Sequence, residues 1–104
     1  MTLRQRFTDD QIEHVIEQGM IYMCACPAQV AQAMRSLRGL YDYQQSCLIT
    51  EGNDARVHAA IAKATQAAHT IMEDCMQEVL TIEQWDPVTL DMPANLRQRQ
   101  LDEL

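Results

Sequence analysis

The sequence predicts an all-α fold, and three observations carry that prediction. The chain has only three Gly and three Pro, too few for the many tight turns of an all-β sandwich. Val, Ile and Thr never cluster in alternating runs, so no half-buried strand is indicated. Apolar residues recur instead at spacings of three and four along three long stretches. A chain of 104 residues fits one domain, here 1–104. With 47% apolar residues but only five aromatic ones, its core must be built from Leu, Ile, Val, Met and Ala. The expected architecture is an up-down-up bundle, an N-terminal helix beside an antiparallel helical hairpin. The helices are expected at about 8–23, 27–50 and 54–85, with a docked C-terminal tail over 86–104.

The first helix has a strong start signal. Phe7, Thr8, Gln11 and Ile12 occupy the positions of a hydrophobic staple and a capping box. Asp9 and Asp10 suit the positive end of the helix dipole. The apolar stripe then runs Ile12, Val15, Ile16, Gly19, Met20, Met23. Pro27 interrupts it. Proline suits a first helical turn and is costly in an interior, so the first helix is expected to end near Met23 and the second to start at Pro27, capped by Cys26. One long helix kinked at Pro27 is the rival, because the stripe continues nearly in register to Val30.

The second helix carries Val30, Met34, Leu37, Tyr41, Gln44 and Leu48 on one stripe. Gly39 is its odd member, since an interior glycine costs roughly 1 kcal/mol relative to alanine. Close approach of a neighbouring helix would account for it. Tyr41 and Tyr43 point to opposite faces, one toward the core. Gly52 is a helix stop, and Asn53 is the expected cap of the third helix. That helix is expected to face the core with Val57, Ile61, Ala64, Ala68, Ile71, Cys75, Glu78 and Ile82, and to end before Pro87. His69 and Glu73 stand four apart and are expected to pair at the surface. Trp85 is expected to anchor the tail, where a short helix after Asp91 and Pro93 would place Leu96.

Charge bounds the partners. Eight Lys or Arg against fifteen Asp or Glu leave a net −7, which repels nucleic-acid phosphates and anionic lipid. No basic stripe for DNA or RNA is visible. No run of about 18 apolar residues exists to span a membrane, and the first seven residues lack the apolar core of a signal peptide. The expected location is cytoplasmic, where four cysteines are thiols or ligands and not a disulfide framework. The acids are unevenly placed. Glu73, Asp74, Glu78, Glu83 and Asp86 crowd the end of the third helix with no base among them, the wrong sign for a helix C-terminus. A cation or a basic partner must compensate them, or they project into water.

The thiols form the only constellation that suggests chemistry. Cys24 and Cys26 flank the helix break, and a hairpin turning near residue 51 brings Cys75 toward them. Met20, Met23, Met72 and Met76 add soft sulfur at the same end. Soft ligands select Cu(I) or Zn(II) over hard cations. The candidate metal ligands are therefore Cys24, Cys26 and Cys75, with Glu78 the best-placed fourth and His69, His14 or a partner subunit as alternatives. Cys47 is excluded by about 30 Å of helix. The competing reading is inert packing, because free Cys is among the most buried residue types.

No nucleophile elbow, phosphate loop, dinucleotide fingerprint or Glu-x-x-His pair is present, so no catalytic site is expected. His14, His58 and His69 have no second His four residues away. The leading expectation is a small acidic helical interaction module that is not an enzyme. It would self-associate as a homodimer or bind another protein, because three helices in a small chain leave an apolar stripe to cover. The alternative is a soft-metal site for Cu(I) or Zn(II), or a thiol redox sensor through a Cys75 disulfide with Cys24 or Cys26.

Overall fold

The computed structural model describes residues 3–22, 26–48 and 54–96. Among them the chain is all-helical, with no strand and three long helices: α1 (Asp9–Tyr22), α2 (Cys26–Leu48) and α3 (Ala55–Ile82). α1 packs on α2, and α2 packs on α3. No described helix is long and apolar enough to cross a membrane. The expected break after Met23, the stop at Gly52 and the expected cap Asn53 lie outside the described residues, as do Cys24 and residues 97–104.

Local chemistry sets the helix ends. The capping box forms as the sequence indicates: the Thr8 backbone N–H donates to Gln11 Oε1 (2.8 Å), and the Gln11 N–H donates to Thr8 Oγ1 (3.1 Å). Phe7, just before it, is buried beside Ile12, Val15 and Ile16. Cys26 is the first residue of α2, and Pro27 is fully buried in the first turn, where its missing N–H has no helical partner to lose. α3 is capped by Asp54, whose carboxylate accepts the Arg56 N–H at 3.0 Å.

α3 ends three residues before the expected Trp85, for a reason the sequence hides. Gln84 adopts φ 62°, in the left-handed region usually taken by glycine. The Trp85 N–H returns to the Leu80 carbonyl (3.0 Å), and the Gln84 N–H to the Thr81 carbonyl (3.2 Å). This pair of bonds is a Schellman motif, closed by a glutamine where glycine would signal it. Asp86 then organises a turn. Its Oδ1 accepts the N–H groups of Val88 and Thr89, both at 2.8 Å. Those bonds, Thr89's foremost, hold its carboxyl below the usual aspartate value.

The core joins Phe7, Ile12, Val15 and Ile16 to Ala31 and Met34 of α2 and to Met76 and Leu80 of α3. Trp85, Leu90 and Met92 belong to the same cluster, and Leu96 packs against it. The Met92 N–H donates to Gln18 Oε1 (3.0 Å), and His14 Nε2 lies 2.7 Å from Asp91 Oδ1. Tyr41 is buried and Tyr43 exposed. Met20, expected on the buried stripe of α1, faces solvent instead.

Two further expectations about the helix faces fail. Gly39 is exposed, and a Cβ built on it meets nothing within 4 Å, so no close approach requires it. More consequentially, α3 is rotated. Its buried residues are Ala62, Thr65, His69, Glu73, Met76 and Leu80. The apolar stripe expected to form the core lies mostly outside. Val57, Ala64, Glu78 and Ile82 are exposed, Ile71 is 66% exposed, and Ile61, Ala68 and Cys75 are half-buried.

Candidate functional site

The rotation of α3 is explained by a buried polar lock. Arg38, one of two bases in the middle of α2, has a side chain only 8% exposed. Arginine carries donors and no acceptor, so it must be surrounded by acceptors when buried. It finds four. Its Nη2 donates to the Phe7 carbonyl (2.6 Å) and stands 3.5 Å from Glu73 Oε2. Its Nη1 donates to Asp9 Oδ1 (2.6 Å), and its Nε donates to His69 Nε2 (2.9 Å). Glu73, fully buried, accepts the backbone N–H groups of Arg6 (2.6 Å) and Phe7 (3.2 Å) on Oε2 and the Arg4 Nε (3.1 Å) on Oε1. Arg4 also reaches the Thr70 carbonyl (3.1 Å) and Asp74 (2.8 Å). The expected surface pairing of His69 with Glu73 is therefore wrong. Both are buried, with His69 Nδ1 4.0 Å from Glu73 Oε1.

This lock answers the charge puzzle at the end of α3. The bases that compensate Glu73 and Asp74 come from the chain's own N-terminal segment, Arg4 and Arg6, and from Arg38. His69 is neutral on geometric grounds, because its Nε2 accepts from an arginine. Its proton sits on Nδ1, which is buried without a hydrogen-bond partner. Burial, opposed by Glu73 and reinforced by Arg38 and Arg4, holds its pKa below the ordinary histidine value. The sequence held one clue to all this. A second stripe, Ala62, Thr65, His69, Glu73, Met76, Leu80, also runs at spacings of three and four.

The predicted sulfur ligands are placed as follows. Cys26 is exposed at the start of α2, and Cys75 is half-buried on α3. Glu78 is exposed one turn beyond Cys75, and Cys24 lies outside the described residues. Among the described residues no group of three or more His, Cys, Asp or Glu side chains is arranged to hold a metal ion.

The remaining feature is the outward stripe of α3. Val57, Ile61, Ala64, Ala68, Ile71, Cys75, Glu78 and Ile82 alternate at spacings of four and three over the whole helix. This is the a/d repeat of a coiled-coil seam. On α2, Ala33 and Leu37 are half-buried and Leu40 is 41% exposed. A separate groove of about 600 Å³ lies between α1 and α2, lined by Glu13, Ile16, Glu17, Met20, Gln32 and Arg35 among others. No protein-family model, curated protein or solved structure matches the chain.

Proposed function

We propose that this protein is a non-enzymatic, self-associating helical module whose working surface is the outward stripe of α3. The observation that carries the reading is a stripe of eight positions in strict heptad spacing, five of them exposed and three half-buried, with Ile71 66% and Ile82 71% exposed. A homodimer is the simplest assembly that would cover it. The proposed topology is up-down-up with the segment after α3 docked on α1. It is supported by the pairs Asp9–Arg38 and Glu13–Arg35 between α1 and α2, by Arg38–His69 and Gln44–His58 between α2 and α3, and by the Met92–Gln18 bond. The buried lock then has a supporting role, fixing the rotation of α3 so that the seam points outward. The reading is of a cytoplasmic protein whose cysteines stay reduced.

Sedimentation equilibrium of the full chain over a wide concentration range tests this. The expected result is a dimer that dissociates on dilution, and an Ile71→Glu variant that stays monomeric with unchanged helical circular dichroism. A wild-type chain that remains a monodisperse monomer at high concentration overturns the proposal.

A further inference from the structure

We propose that the groove between α1 and α2 is the seat of the chain's own residues 97–104, which cross the outer face of α1 as an extended segment and place Leu101 between Ile16 and Met20. This inference is independent of the α3 stripe and of self-association.

A repeated sequence supplies the recognition chemistry. Leu3-Arg4-Gln5-Arg6 recurs as Leu96-Arg97-Gln98-Arg99, and two acids follow each copy at the same distance, Asp9 and Asp10 after the first, Asp102 and Glu103 after the second. The structure shows how the first copy is held. It is non-helical, and its alternate arginines converge on one carboxylate, with Arg4 Nη2 2.8 Å and Arg6 Nη1 3.4 Å from Asp74 Oδ1. Phe7 is then buried in the core, and Asp9 pairs with an arginine of α2, Arg38, at 2.6 Å. The second copy has the same order of charges, with Leu101 between the arginines and the acids. By the same chemistry it needs a helix carboxylate, an apolar seat and an arginine beyond it.

The groove offers all three within reach. Asp91 and Met92 lie against α1 at His14 and Gln18, and Leu96 packs against the core cluster. At about 100° per residue, His14 and Gln18 occupy one flank of α1 and Glu13, Ile16 and Met20 the other, with exposed Glu17 and Ile21 on the face between. Crossing that face means half the circumference of a helix about 10–12 Å across, roughly 16–19 Å. The six residue steps from 97 to 103 span about 20 Å when extended.

Side chains of an extended segment alternate. Arg97, Arg99, Leu101 and Glu103 share one side, and Gln98, Gln100 and Asp102 share the other. Laid across α1 in chain order, the first side meets Glu17 and Glu13, then the apolar floor of Ile16 and Met20, then Arg35 of α2. Opposite charges meet at both ends, leucine meets apolar surface between them, and the outer side is wholly polar. The reverse direction would set Glu103 against Glu17 and the two arginines against Arg35. Among the described residues Glu17 has no ion-pair partner. Arg35 holds Glu13 through Nη1 (3.2 Å), and a guanidinium has further N–H donors for a second carboxylate. Covering Met20 and Ile16 with Leu101 supplies the attraction, while the exposed ion pairs fix the direction more than they add strength.

Backbone amide relaxation and methyl NOE spectroscopy of the full chain test this. The expected result is order parameters above about 0.8 across residues 97–103, as for rigid backbone, with an NOE between the Leu101 and Met20 methyl groups. Met20→Asp alters an exposed residue, so the fold should hold while those order parameters fall below about 0.6, the flexible range. Arg97→Glu with Arg99→Glu, which sets like charges against Glu17 and Glu13, should lower them too. Flexible residues 97–103 in the wild type, NOEs from Leu101 to a different surface, or unchanged order in either variant overturns the proposal. In a mixture of isotope-labelled and unlabelled chains, the Leu101–Met20 NOE should stay within one chain. An NOE between chains overturns the intramolecular seat and assigns the groove to the tail of a second copy.

Discussion

Glu73→Ala removes the central acceptor of the buried lock, and its cost can be worked bond by bond. The Phe7 N–H is buried and would lose its acceptor. An orphaned buried donor costs about 1–3 kcal/mol. The Arg6 N–H bond, at 2.6 Å to a charged oxygen, belongs to the stronger class, contributing roughly 1.5–3 kcal/mol. The Arg4 bond counts for less, because that side chain is 39% exposed and its pairing is screened, in the range of about 0–1 kcal/mol. Arg38 keeps Phe7, Asp9 and His69 as acceptors, so it is not left bare.

These contributions are not strictly additive. Together they indicate a loss of about 3–5 kcal/mol, the range seen when one member of a buried pair is removed. A domain of this size has only about 5–15 kcal/mol in total, so the variant should be marginal at 37 °C. Urea denaturation at 25 °C, followed by circular dichroism at a single protein concentration, measures it. The concentration must be fixed because a dimer's stability depends on it. Glu73→Gln keeps one acceptor oxygen and should lie between the wild type and Glu73→Ala. Exposed Glu17→Gln, away from both the lock and the α3 stripe, should stay within about 0.5 kcal/mol. A Glu73→Ala loss below about 1 kcal/mol would refute the claim that this carboxylate holds the N-terminal segment and α2 onto α3.

Stability should also fall as pH falls below the ordinary histidine value, about 6.5. The unfolded chain then binds a proton that native His69 refuses, because its own pKa is lowered, so the slope is at most about 1.4 kcal/mol per pH unit until that lowered value is reached. Urea midpoints at pH 7.5 and 5.5 should show this dependence, and His69→Gln should flatten it. Gly39→Ala should stabilise by about 0.5–1 kcal/mol in the same assay, because the site is helical and open. A loss there would mean that the glycine is needed for a contact. Gln84→Gly should raise stability by about 1 kcal/mol, relieving a left-handed residue. No change would mean that the glutamine side chain compensates its own strain.

Much of the local structure is legible in the sequence alone. The capping box at Thr8, proline in the first turn of α2, and the placement of Tyr41 inward and Tyr43 outward all follow from short-range rules of periodicity and capping. The end of α3 was misread because its stop signal is a backbone conformation, and Gln84 carries no compositional mark of it. The core face of α3 was misread for a deeper reason. Two stripes on that helix share the same period, and the more apolar one looked like the core.

What the sequence determined by itself was the class of structure, the capping box that starts α1 and the proline in the first turn of α2, since these depend on neighbours within a few positions, whereas the cap of α3 is Asp54 and not the expected Asn53. Which face of α3 turns inward was decided only by tertiary structure. A buried arginine on α2 needed acceptors, and His69, Glu73 and the backbone around Phe7 could supply them where Ile71 and Ile82 could not. Desolvating a guanidinium without partners costs more than leaving two isoleucines in water. The polar stripe was buried, and most of the apolar one was left facing water.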